Sequence, residues 1–159
     1  MWKVLFKCGS NTGLKSYKVK RGNMEYSLKD TIEKVGMTLI DVRVKGFKLT
    51  FDIDTGSTEN IVFDFVSNQL SDVFRPIDGS TKVFGIDGNY KENPCVEAEL
   101  TIGDKSFLVQ FNAVNADQTV INLQNEYGFQ LHGILGIPFL VENHCVIDFN
   151  NCVIIIGEK

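Results

Sequence analysis

Phe51-Asp52-Ile53-Asp54-Thr55-Gly56-Ser57 is the stretch on which the reading of this chain turns. From Phe47 to Ile53 apolar and polar residues alternate, which predicts a half-buried strand that delivers Asp54 to its end. A carboxylate in that place is costly unless hydrogen bonds hold it or a reaction uses it. The next residues supply the means: Thr55 and Ser57 carry hydroxyls, and Gly56 lets backbone N–H groups come close. Alternation also puts Asp52 on the same strand face as Asp54. For Asp52 the expectation is a solvated or capping carboxylate near the sheet edge.

The neighbouring segments are strand-dense. Leu39 to Val44 alternates and joins the Asp54 strand through Lys45-Gly46, a hairpin. Ile61-Val62-Phe63 reads as a strand, followed by a short helix from Asp64 to Leu70. A hairpin is expected around Gly85-Ile86-Asp87-Gly88, and another across Gly103-Asp104. Ile134-Leu135-Gly136 is a short buried strand, and Pro138 suits the first turn of a helix after it. Cys145 to Phe149 and Cys152 to Ile156 form a last hairpin, with Asn150-Asn151 as its turn at positive φ. Val153-Ile154-Ile155-Ile156 is expected as an exposed apolar edge that seeks pairing. No βαβ rhythm and no repeat is present, so the body reads as all-β with one or two short helices.

Asp54-Thr55-Gly56-Ser57, the Gly85 to Gly88 hairpin and Ile134-Leu135-Gly136 occur in the order found in one lobe of an aspartic protease. The chain resembles the retropepsin-like aspartic proteases, the single-lobe branch, over roughly Leu39 to Ile156. Gly133 to Leu140, followed by Val146-Ile147-Asp148-Phe149, is especially similar to bacterial and retroelement members. The resemblance implies a closed acid-protease-like barrel over residues 37–159, and peptide-bond hydrolysis by two carboxylates across one water. It implies neither metal nor cofactor. Asp54-Thr55-Gly56-Ser57 would form the catalytic loop, with Thr55 locking it to its partner loop and Ser57 bonded to the outer carboxylate oxygen. Gly85, Ile86, Asp87 and Gly88 would form a flap over an extended peptide, and Ile134, Leu135 and Gly136 would support the active loop.

The signature occurs once. Ile77-Asp78-Gly79-Ser80 lacks the middle Thr and lies too near Asp54 to belong to a second lobe, and Asp148-Phe149-Asn150 lacks the Gly. A homodimer is therefore expected, with the second Asp54 supplied by another copy. Asp148 is expected to stabilise the following turn. The alternative function is a catalytically silent dimerisation or peptide-binding module of the same shape.

Two other enzyme classes fit less well. Phe51-Asp52-Ile53-Asp54-Thr55 also resembles the Asp-x-Asp loop of haloacid-dehalogenase-type phosphatases, but Gly56 stands where Thr or Val is expected, and the strand pattern is wrong. His144-Cys145 suggests a cysteine protease, but strand neighbours point to opposite faces. The four Cys form no Cys-x-x-Cys pair and there are two His, which disfavours zinc.

At 159 residues the chain suits one domain, able to bury roughly 70% of its unfolded surface. A net charge of −4 gives nucleic acid and anionic membranes nothing to hold. Val4-Leu5-Phe6 is too short for a leader or a membrane span, so a cytoplasmic address is expected. Residues 1–36 are Lys-rich and lie outside the resemblance. They are expected as an N-terminal extension, a prosegment or extra strands, with a weak helical pattern from Asn23 to Val35.

Overall fold

The computed structural model describes residues 17–20, 22–84 and 88–157. Its larger sheet contains seven strands: β3 (Leu39–Val44), β4 (Phe47–Ile53), β5 (Ile61–Phe63), β6 (Arg75–Phe84), β7 (Tyr90–Ile102), β8 (Lys105–Val114) and β9 (Gly133–Leu135). They lie in the order β3-β4-β9-β5-β8-β7-β6. The β3–β4 hairpin turns at Lys45-Gly46, both at positive φ, as a tight hairpin turn demands. The β7–β8 hairpin turns at Gly103-Asp104, where Lys105 pairs with Ile102.

Arg43 of β3 pairs with Thr101 of β7, bending the sheet back on itself. That contact is one residue pair, and the last strands leave for a separate sheet. The expected closed barrel is thus replaced by a ring-like sheet and a smaller companion. The companion has four strands, β1 (Tyr17–Lys20), β2 (Asn23–Ser27), β11 (Val153–Ile156) and β10 (Val146–Asp148), in that spatial order.

Two expectations change here. Asn23 to Val35 is not one helix. Met24 and Tyr26 alternate into the core as β2 pairs with β11, and helix α1 spans only Lys29–Val35. Leu28, between them, is fully buried. Second, Val153–Ile156 is not an edge, because β11 is flanked by β2 and β10. Among the described residues the edges of this sheet are β1 and β10.

Short helices are also more numerous than expected. Besides α1, the described residues contain α2 (Asp64–Gln69), α3 (Asp117–Tyr127) and α4 (Ile137–Glu142). None is long and apolar enough to cross a membrane. The core is aromatic: Phe51, Phe74, Phe111 and Phe139 are all but fully buried, and the Phe111 ring lies 5.7 Å from Phe51 and 5.9 Å from Phe74. Each such side chain contributes about 2–3 kcal/mol of burial. Phe51 anchors β4 from below, immediately before Asp52 and Asp54, and so fixes the strand that carries the site.

Candidate active site

Asp54 follows the last residue of β4. Its backbone N–H donates to Leu135 O at 3.1 Å, tying the loop to β9. The Gly56 N–H donates to Asp54 Oδ1 at 2.8 Å, and Ser57 N–H to Asp54 O at 3.2 Å. The carboxylate is thus held by its own loop, as the Asp-Thr-Gly-Ser spacing suggested. Thr55 is exposed at the loop tip. Ser57 behaves differently from expectation. Its hydroxyl donates to Glu59 O at 2.7 Å, so the hydrogen bond to the carboxylate comes from the Gly56 backbone.

Ile134, Leu135 and Gly136 lie under this loop. β4 and β9 run parallel, with Asp52 opposite Ile134 and Ile53 opposite Leu135. Gly136 crosses the returning loop closely: an added Cβ would overlap Glu59 O and lie 2.7 Å from Ser57 O. Ile137 N–H then donates to Ser57 O at 2.9 Å, which fixes the crossing.

Asn60 was not legible as a site residue. It is buried, and its Oδ1 accepts from Gly136 N at 3.0 Å and Phe139 N at 3.3 Å, while its Nδ2 donates to Gln110 O at 3.2 Å. One amide therefore joins the end of the active loop, the start of α4 and β8. Asn112, also buried, donates to Glu59 Oε2 at 3.2 Å.

The hairpin arms expected to carry a flap are β6 and β7, paired out to Phe84 and Tyr90, with Lys82 Nζ 4.6 Å from the Tyr90 ring centre. Gly85, Ile86 and Asp87 lie outside the described residues, and Gly88 is exposed with φ 78°. Ile77-Asp78-Gly79-Ser80 falls within β6, where Gly79 (φ 117°) sits at a register shift. It is therefore a bulge in a strand, unlike the loop at Asp54.

The other carboxyl on this face is Asp52. It is half-buried, and Thr38 Oγ1 lies 3.2 Å from its Oδ1. Burial chiefly pushes its carboxyl up to about 6, against the Thr38 hydrogen bond and with the Asp54 charge adding to it. This departs from the solvated acid expected. Asp148 does stabilise its turn, accepting from Asn151 N at 3.0 Å and Asn151 Nδ2 at 2.7 Å. The positive φ in that turn belongs to Cys152, however, rather than to Asn150 or Asn151.

Cys145 is half-buried, and burial pushes its thiol up to about 11, the wrong direction for a thiolate nucleophile. Among the described residues no group of three or more His, Cys, Asp or Glu is arranged to hold a metal ion.

His132 is 4% exposed and accepts the Thr50 N–H on Nδ1 at 2.9 Å, which places its ring proton on Nε2. Nε2 has no hydrogen-bond partner among the described residues. Burial lowers this histidine to about 4. An unfolded histidine takes its proton near pH 6.5, so between about 6.5 and 4 the unfolded state binds the extra proton. Stability is therefore expected to fall by about 3 kcal/mol as pH drops through that window. Asp52 titrates with the opposite sign over part of it, so the reading is a difference. Urea unfolding of wild type and His132→Asn at pH 7 and pH 4.5 should show a shallower acid loss in the variant. Equal losses would clear His132 of the effect.

No family model matches this chain, and no curated protein does. Among solved structures, a retropepsin-like aspartic protease from Rickettsia conorii matches with a TM-score of 0.48 and 14% identity, over 90% of this chain and 95% of that one.

Proposed function

We propose that this chain is an aspartic endopeptidase whose reactive centre forms when two copies bring their Asp54 carboxyls together across one water. The observation that carries this reading is the Asp54 loop itself. A carboxylate stands at a strand end with Gly56 N–H on one oxygen at 2.8 Å, above a crossing that tolerates only glycine at 136. In the proposed pair the two acids share one proton, since two close like charges do not both ionise readily. The ionised acid takes a proton from the water, whose oxygen attacks the scissile carbonyl carbon. The protonated acid donates to the carbonyl oxygen. When the tetrahedral intermediate collapses, the C–N bond breaks and the amine leaves with a proton from the dyad. No metal and no covalent enzyme intermediate takes part. The substrate is an extended peptide or protein, and the Gly85 to Gly88 tip acts as the flap over it.

The pairing surface follows from exposed apolar side chains beside the loop. Ile137 and Val141, one turn apart on α4, are 41% and 68% exposed; Val146 on β10, an edge strand of the smaller sheet, and Phe149 after it are 54% and 67% exposed. The Ile137 N–H is bonded to Ser57 O, so this surface continues into the active loop. A second copy paired here completes a site that has one Asp54 per chain. Sedimentation is expected to show wild type dimerising as concentration rises, and Val141→Glu/Val146→Glu remaining monomeric with its thermal melt retained. A double variant that dimerises as wild type does removes this surface from the account. The burial of Met24 and Leu28, and the β2–β11 pairing, support assigning residues 23–36 to the folded unit as extra strand and helix.

A digest of a mixed peptide library at acid and neutral pH, wild type against Asp54→Asn, tests the reaction itself.

A further inference from the structure

Helix α1, the C-terminal end of α3 and the β3–β4 hairpin enclose a groove of about 610 Å³, within the range of clefts that hold a ligand or several side chains. Val35, Leu39, Tyr127 and Phe129 give it an apolar surface, with the Tyr127 and Phe129 rings 6.3 Å apart. The exposed carboxylates of Asp30 and Glu126 stand beside that surface. None of Asp54, Thr55, Gly56 or Ser57 lines it. The two helices that flank it have contact surface to spare: α1 buries no residue fully, and α3 buries only Val120.

The charges of the groove favour a cation. Asp41 also lines it but is paired with Lys48 at 2.8 Å, and Lys34 is the one cation among the lining residues. The Tyr127 hydroxyl donates to the Glu126 carboxylate, which leaves that charge in place.

One segment of this chain matches that surface. Residues 1–16 contain Lys3, Lys7 and Lys15 and no Asp or Glu. The whole chain carries −4, so residues 17–159 carry −7 and face a segment of opposite sign. Trp2-Lys3-Val4-Leu5-Phe6-Lys7 sets four apolar side chains among lysines, as the groove sets its apolar residues beside acids. The route is short. Tyr17, the first residue of β1, pairs with Tyr26, and Tyr26 and Ser27 line the groove. The pairing is antiparallel, so the chain before Tyr17 arrives on the Ser27 side, where α1 begins. Trp2 stands 15 residues before Tyr17, a reach of about 50 Å when extended, which spans the whole groove. A tether of this length also gives a weak contact a high effective concentration.

We propose that residues 2–7 dock in this groove of their own chain, with their apolar side chains on Val35, Leu39, Tyr127 and Phe129 and their lysines beside Asp30 and Glu126. The N-terminal extension is then a strap that joins α1 to α3 across the hairpin whose end carries Asp54. It stays clear of the Asp54 loop, and the proposal holds whether or not that loop hydrolyses peptides.

Trp2 is the only tryptophan in the chain, so its fluorescence reads the docking directly in the full-length protein. Wild-type emission is expected to lie to the blue of the urea-unfolded chain, and acrylamide to quench it several-fold less. Asp30→Lys/Glu126→Lys should move emission and quenching to the unfolded values while the thermal melt by circular dichroism is retained. Lys3→Glu/Lys7→Glu should do the same, and it leaves every residue of the groove untouched, so it decides the matter even if the groove variant fails to fold. All four changes together should restore the shielding, because the charges then match again with reversed sign. A wild-type Trp2 as open as in urea overturns the proposal, including the case in which the groove then takes up an added lysine-rich peptide. So does a shielded Trp2 that neither charge-reversed pair exposes, which puts the segment elsewhere. Shielding that develops only as protein concentration rises assigns the groove to the segment of a second copy and overturns docking within one chain.

Discussion

Asp54→Asn is expected to lower kcat/KM for peptide cleavage by about 10⁴-fold, the upper end of what a positioned acid–base pair contributes. In a homodimer the change removes both carboxyls at once, so neither the base nor the acid remains. The fold should survive it. Asn Oδ1 can accept the Gly56 N–H at 2.8 Å as the carboxylate does, and the ties from Asp54 N to Leu135 O and from Ser57 N to Asp54 O are backbone bonds. Thermal melts of the two proteins should therefore nearly coincide while their activities do not. Cleavage by the variant within about tenfold of wild type would remove Asp54 from the chemistry.

Gly136→Ala is expected to have the largest effect on stability. The backbone at 136 (φ −94°, ψ −166°) is extended and open to alanine, so conformational strain is not the cause. The cause is space: the new Cβ would overlap Glu59 O and approach Ser57 O to 2.7 Å. Both are backbone atoms, so relief requires moving a chain rather than turning a side chain. The same crossing is held by Ile137 N to Ser57 O at 2.9 Å and by Gly136 N to Asn60 Oδ1 at 3.0 Å. Overpacking of this kind costs about 3 kcal/mol, and in a domain of this size that lowers the melting midpoint by about 10 °C. Because the displaced atoms belong to the Asp54 loop, activity should fall further than the loss of folded protein explains. A melt within about 2 °C of wild type would mean that the crossing gives way easily.

Local pattern carried most of what could be read in advance. The β3–β4 and β7–β8 hairpins were legible because alternation runs unbroken on both sides of Gly-containing turns. The Asp54 loop was legible in part: Gly56, two residues on, supplies the N–H that bonds the carboxylate, whereas the Ser57 hydroxyl turns to Glu59 O instead. The misses are places where distant residues decide. Met24, Leu28, Ile32 and Val35 are spaced as on a helix, yet Met24 is taken into a strand by β11, from the far end of the chain. Helix α3 buries little beyond Val120, so its residues carry almost no periodic signal, although Gly128 at φ 73° marks its end. Asn60 bonds residues far along the chain through one amide, and nothing beside it in sequence announces that. Asp52 looked solvated because alternation gives its face but not the aliphatic neighbours on β3 and β9.

The account's central claim is that two copies of Asp54 act as one reactive unit, and subunit mixing tests it most directly. Wild type at fixed concentration would be equilibrated with increasing amounts of Asp54→Asn, and peptide cleavage followed. A shared dyad predicts that mixed dimers are inactive, so activity falls as the variant captures wild-type chains. Cleavage that stays proportional to the wild-type protein alone, with mixed dimers demonstrably formed, would contradict it.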